Sequence, residues 1–142
     1  MSVTLVPEHG RGVVELRIPS KAEWVAVARL AIAAVANRLD FSIEEIEDVK
    51  LAVAEACTNC IQHATGGDQI EITCETEKSS LTVHVKDYGV GTQPEEIQSR
   101  RVSEPREGGL GVFLIRSLMD EVQYDVHPEL GTNLVMRKKV SA

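Results

Sequence analysis

Residues 12–18, Gly-Val-Val-Glu-Leu-Arg-Ile, alternate with the two-residue period of a strand and stop at Pro19-Ser20. Ser20-Lys-Ala-Glu23 has the spacing of a capping box, which predicts a helix running to about Asn37. Ser42-Ile-Glu-Glu45 repeats that signal and predicts a second helix to about Ala64, closed by a turn at Gly66-Gly67-Asp68. Residues 69–76 and 80–87 alternate again. Ile70, Ile72 and Cys74 share one side of the first run, and Leu81, Val83 and Val85 one side of the second. Only Lys78-Ser79-Ser80 separates them, so they pair as a hairpin. Thr92 to Glu107 is polar and aperiodic. An apolar helix follows Gly111, from Val112 to about Asp120. Two further strands, 121–127 and 132–140, flank the turn Pro128-Glu-Leu-Gly131.

This order, β-α-α-β-β-loop-α-β-β, does not alternate strand and helix as a parallel doubly wound sheet would. It predicts an α+β two-layer sandwich, a mixed or antiparallel β-sheet with helices on one face. No repeat or linker divides the chain, so one domain is expected over residues 1–142, with a mobile lid at about 92–108, where a long segment lacks structure of its own. In the first helix Trp24, Val27, Leu30, Ala31 and Ala34 are expected in the core rather than at an interface.

Composition narrows the function classes. A chain of 142 residues with 43% hydrophobic and 26% charged residues can bury a core and is an ordinary globular protein. Its net charge of −7 and 4% aromatic content argue against direct nucleic-acid binding, which needs basic surface and stacking platforms. No apolar run is long enough to span a membrane, and Met1 to His9 has no signal-peptide character, which points to the cytoplasm. Cys57-Thr-Asn-Cys60 has redox or zinc spacing. It lies inside a helix with no second ligand pair, which favours small buried helix residues instead.

Three segments carry candidate chemistry. On the second helix Asp48, Glu55, Asn59 and Gln62 form a polar stripe opposite Val49, Val53 and Cys57. A solvated face is the ordinary fate of such a stripe, but Asn is a poor mid-helix residue, and Glu55-x-x-x-Asn59 sets an amide one turn from a carboxylate. Asp87-Tyr-Gly89-Val-Gly91 ends a strand with two glycines. It is either an Asx turn or a place where backbone approaches a ligand and Asp87 accepts a hydrogen bond from an exocyclic amine. Glu107-Gly-Gly-Leu-Gly111 runs into a helix, where exposed N–H groups and the helix dipole favour an anion; the alternative is a flexible loop and cap. Arg100, Arg101 and Arg106 lie just before it. Neither glycine cluster is a P-loop or a Rossmann fingerprint.

In order and spacing, these segments resemble the GHKL ATPases, the superfamily of gyrase, histidine kinases and MutL. Glu55-Ala-Cys-Thr-Asn59-Cys-Ile-Gln-His63-Ala resembles the N-box, Asp87-Tyr-Gly89-Val-Gly91 the G1 box, Gly108-Gly-Leu-Gly111 the G2 box and Gly131-Thr132 the late Gly-Thr element. The match covers roughly residues 10–140. Within the superfamily the chain resembles the small anti-sigma-factor serine kinases of the RsbW/SpoIIAB type, through Glu-Ala-Cys-Thr-Asn, Gly-Gly-Leu-Gly-Val-Phe-Leu-Ile and Leu118-Met-Asp-Glu-Val122. It departs from them at Thr65, at Gly66-Gly67 and at Thr92.

The resemblance implies a Bergerat ATP-binding fold that uses ATP and Mg²⁺. Asn59 would ligate the metal and Glu55 would be the general base. Asp87 would hold the adenine amine, Gly89 and Gly91 would wrap the nucleotide, and Gly109, Gly111 and Thr132 would meet phosphate. His63, Arg106, Gly108 and Leu110 complete the implied cofactor-binding set. Family members are homodimers that bind a sigma factor and phosphorylate a serine on an anti-anti-sigma, STAS-domain partner. The alternatives are an ATP-binding module that sequesters a partner without kinase activity and a stand-alone histidine-kinase catalytic domain.

Overall fold

The computed structural model describes residues 2–8, 11–63, 68–88, 108–127 and 131–141. Strands β1 (Ser2–Glu8) and β2 (Arg11–Pro19) come first, then a short 3-10 turn (Ala22–Trp24) and helices α1 (Val25–Ala36) and α2 (Ile43–His63). Strands β3 (Gln69–Thr76) and β4 (Ser80–Asp87), helix α3 (Gly108–Leu118) and strands β5 (Glu121–His127) and β6 (Gly131–Lys139) follow. The strands form one six-stranded sheet in the order β1-β2-β3-β4-β6-β5, antiparallel at every pairing. The expected mixed or antiparallel sheet is therefore antiparallel throughout.

One face of the sheet carries the helices, and the two-residue strand period builds the core beneath them. Leu16 and Ile18 of β2, Ile70, Ile72 and Cys74 of β3, Leu81, Val83 and Val85 of β4, and Leu134 and Met136 of β6 are all buried. They meet Ala28, Ile32, Val35 and Ala36 of α1, Val49, Ala52, Val53, Ala56 and Cys57 of α2, and Ile115 of α3. Helix α2 lies between α1 and α3 and packs on both. The opposite face is polar and partly solvated, with Thr73, Thr82, His84 and Lys86 on its central strands.

The structure corrects the sequence reading at four places. Strand β1 was not expected; it pairs along its whole length with β2, and Pro7 is tolerated because the strand is an edge. The Ser20 capping box does not form. Lys21 is the N-cap of the 3-10 turn without a side-chain cap, and the Ser20 N–H donates to Asp68 O at 2.9 Å. The second box does form: Ser42 N donates to Glu45 Oε1 and Glu45 N to Ser42 Oγ. Helix α3 begins at Gly108, so the glycines lie inside its first turn rather than ahead of it. Finally, α1 buries the stripe of Ala28 and Ile32 and leaves Leu30 71% exposed and Ala34 exposed; Trp24 and Ala31 pack at the core margin as expected.

Candidate nucleotide site

Four chain segments reach one end of the sheet. The first is α2, whose apolar face is fixed by Val49, Val53 and Ala56 against the strands. That docking leaves Glu55 and Asn59 half-buried, one turn apart, on the side towards α3. The second is the first turn of α3. A Cβ on Gly111 would stand 3.1 Å from Asn59 Oδ1 and 3.2 Å from its Nδ2, so the start of α3 packs close to the Asn59 amide, and any side chain there would make that amide give way.

The third segment is the end of β4. Asp87 pairs with Ile70 of β3 on one side and Thr132 of β6 on the other, and it keeps the inward direction of Val83 and Val85. It is 5% exposed, one of two buried polar or charged residues among those described. The fourth segment is the start of β6. Gly131 has φ of 91°, and a Cβ on it would lie 1.8 Å from Asp87 O. The backbone of β6 thus rests on the residue that ends β4.

The α2 cysteines lie between these groups. Burial pushes the Cys57 thiol up to about 12. Burial first, then Cys57, then the nearby Asp87 carboxylate hold the Cys60 thiol well above its ordinary value. Both thiols are protonated at neutral pH, so the pair lacks the thiolate that redox or zinc chemistry needs. Its effect on Cys60 also sets the Asp87 carboxylate within electrostatic reach of the residue that follows Asn59.

The sequence-derived set therefore divides. Asn59 meets Gly111, Asp87 pairs with Thr132, and Glu55 lies one helical turn from Asn59. His63 is the last residue of α2, and Gly108, Gly109 and Leu110 open α3. Gly89, Gly91, Arg106 and the expected lid lie outside the described residues. Two members of the polar α2 stripe have other surroundings: Gln62 is exposed, and Asp48 Oδ2 lies 3.6 Å from Lys138 Nζ of β6. Sequence reasoning did not single out Lys138, which also donates to Leu118 O at the end of α3, nor the part played by Tyr88. A lysine at an inward strand position was the available signal for the first. An open groove of about 390 Å³ lined by Thr82, Glu121, Gln123, Val135 and Arg137 lies on the polar face of the sheet, away from this cluster.

A sheet covered on one face by three helices, with an acidic strand end, a helix amide and a glycine-rich helix start at one end of it, fits one class. The chain belongs to the histidine kinase-like ATPase domains, whose family model matches residues 18–138. It is 40% identical over 137 residues to serine-protein kinase RsbW of Bacillus cereus strain AH820, covering 89% of this chain and 84% of that protein. The figures are the same for serine-protein kinase RsbW of Bacillus anthracis strain CDC 684. Within the ATPase class, the chain is thus a member of the RsbW serine-protein kinase family. The fold is also that of the histidine kinase domain of the blue-light activated histidine kinase from Erythrobacter litoralis EL346, with a TM-score of 0.51 and 22% identity over 87% of this chain and 62% of that one.

Proposed function

We propose that this protein binds Mg-ATP between α2, the β4 end and the start of α3, transfers the γ-phosphoryl group to a serine of a STAS-domain antagonist, and sequesters a sigma factor. The observation that carries the reading is the contact of the Asn59 amide with Gly111. It joins the polar stripe of α2 to a helix start whose N–H groups and dipole suit phosphate. The donor set fits the cofactor. An amide oxygen is a hard ligand of the kind Mg²⁺ accepts, and the remaining positions on the ion suit phosphate oxygens and water. The metal would supply charge neutralisation on the phosphates.

The chain's own residues then have distinct tasks. Asp87, buried, accepts the adenine amine and sets the depth of the base. Gly111, with Gly108, Gly109 and Leu110, presents main-chain N–H groups to phosphate, and Thr132 adds a hydroxyl from β6. Asn59 orients the metal, and His63, the last residue of α2, belongs to the same cofactor-binding set. Glu55, one turn earlier on the same helix, takes the proton from the acceptor serine hydroxyl. Gly89 and Gly91 let the chain wrap the nucleotide, and Arg106 brings positive charge from the lid at about 92–108 to the transferred group. The active form is a homodimer in the cytoplasm.

Phosphate transfer from radiolabelled ATP to a STAS-domain substrate, run with Glu55→Ala beside the native chain, tests this reading. The variant should lose transfer and keep nucleotide affinity. Transfer retained in Glu55→Ala removes Glu55 from the base role, and ATP binding with no transfer by the native chain leaves a sequestering module instead.

A further inference from the structure

The peptide that joins Asp87 to Tyr88 is gripped from two sides. On one side lies Gly131. A Cβ there would meet Asp87 O at 1.8 Å, Asp87 C at 2.8 Å and Tyr88 Cα at 3.0 Å, all of them backbone atoms that cannot swing aside. The φ of 91° adds strain for any other residue, so both space and conformation call for glycine. On the other side Tyr88 points across the polar face. Its hydroxyl donates to Glu71 Oε2 of β3 at 3.0 Å, and Arg17 Nε of β2 lies 3.4 Å from the same oxygen. Lys86 Nζ stands 4.8 Å from the ring centroid. The residue after Asp87 is thereby pegged across two further strands.

We infer that Gly131 and Tyr88 are positioning residues for Asp87: together they fix the peptide that aims its carboxylate, and so set how well the site distinguishes a 6-aminopurine nucleotide from one without the amine. The inference rests on the proposed reading of Asp87 as the acceptor for that amine. A hydrogen bond to a buried carboxylate loses strength steeply as its angle and distance drift, so a small shift of this peptide registers as lost selectivity.

The test is calorimetric, with Mg-ATP and Mg-purine riboside triphosphate, which lacks the 6-amino group, as probes. Native protein, Asp87→Asn, Gly131→Ala and Tyr88→Phe are compared. A charge-assisted hydrogen bond gives the native chain a preference for ATP of about ten-fold or more. Asp87→Asn and Gly131→Ala should cut that preference to about three-fold or less, and Tyr88→Phe should cut it by about three-fold, a modest part of one hydrogen bond. Affinity for the amine-free analogue should stay close to native in Tyr88→Phe, which a general structural defect would not allow. No preference in the native chain sinks the Asp87 reading itself. A native preference that Asp87→Asn removes, but that either other variant keeps in full, overturns the role of that residue. If Gly131→Ala does not fold, Tyr88→Phe, which removes one exposed oxygen, decides the matter.

Discussion

The Asn59 side-chain amide faces Gly111 so closely that a single methyl group there would stand 3.1 Å from its oxygen. This contact joins the last turns of one helix to the start of another across 51 residues of sequence. It also makes a prediction. Gly111→Ala adds a methyl into the space the Asn59 amide faces, while alanine favours the helix itself. Thermal stability should change little, and Mg-ATP affinity should fall by about ten-fold, the cost of one displaced hydrogen-bonded or metal-bonded group. Titration calorimetry beside a melting curve separates the two effects.

Lys138 ties three elements together. From β6 it reaches Asp48 near the start of α2 and the Leu118 carbonyl at the end of α3, with only 12% of its side chain exposed. Lys138→Met keeps most of the packed volume and removes the charge and donors. Denaturant unfolding should show a loss of about 1 kcal/mol, since the Asp48 partner is partly solvated and the carbonyl loses its donor at a partly buried site. An unchanged midpoint would mean that solvent replaces both interactions.

Glu45 gives the fold a dependence on acid. Its carboxylate accepts from Ser42 N in the capping box and from Ser141 N and Oγ near the C-terminus. The Ser42 backbone hydrogen bond is the largest influence and, with the Ser141 contacts, holds Glu45 below its ordinary value against a smaller opposing effect of burial. A depressed folded value means that the contribution is complete above the unfolded value of about 4.3 and is lost as pH falls through the folded value. Because the carboxylate is largely solvated, Glu45→Gln should cost only about 0.5 kcal/mol or less at neutral pH and converge with the native chain in acid. Urea midpoints measured from pH 7 down to pH 3 check the sign.

Local patterns made much of this legible. The spans of β3, β4 and β5, the Ser42 box and the buried alternation of Ile70, Ile72, Val83 and Val85 follow from two-residue and helical periods alone. The misses have physical causes. The N-terminal strand is an edge whose stability comes from pairing with β2, which no local window contains. The Ser20 box lost to a tertiary hydrogen bond with Asp68. Burial of Ile32 in place of Leu30 is set by how α1 leans on α2, and sequence periodicity alone does not choose between adjacent stripes.

The site was partly readable for a similar reason. Glu55, Asn59 and Asp87 stood out because a polar residue at an awkward position asks for an explanation. The glycines before Val112 were visible as a cluster, but propensity placed them outside the helix that they in fact begin. The grip on the Asp87–Tyr88 peptide was hidden, because Gly131 and Glu71 meet it only through strand register.

The claim on which the rest depends is that Asn59, Asp87, Gly111 and Thr132 surround a single nucleotide. Titration of isotope-labelled protein with Mg-ATP, followed by nuclear magnetic resonance, tests it directly. The Asn59 side-chain amide and the backbone amides of Gly111 and Thr132 should shift together with one dissociation constant, along with that of Tyr88 beside Asp87. Shifts confined to one segment, or segments titrating with different constants, would contradict it.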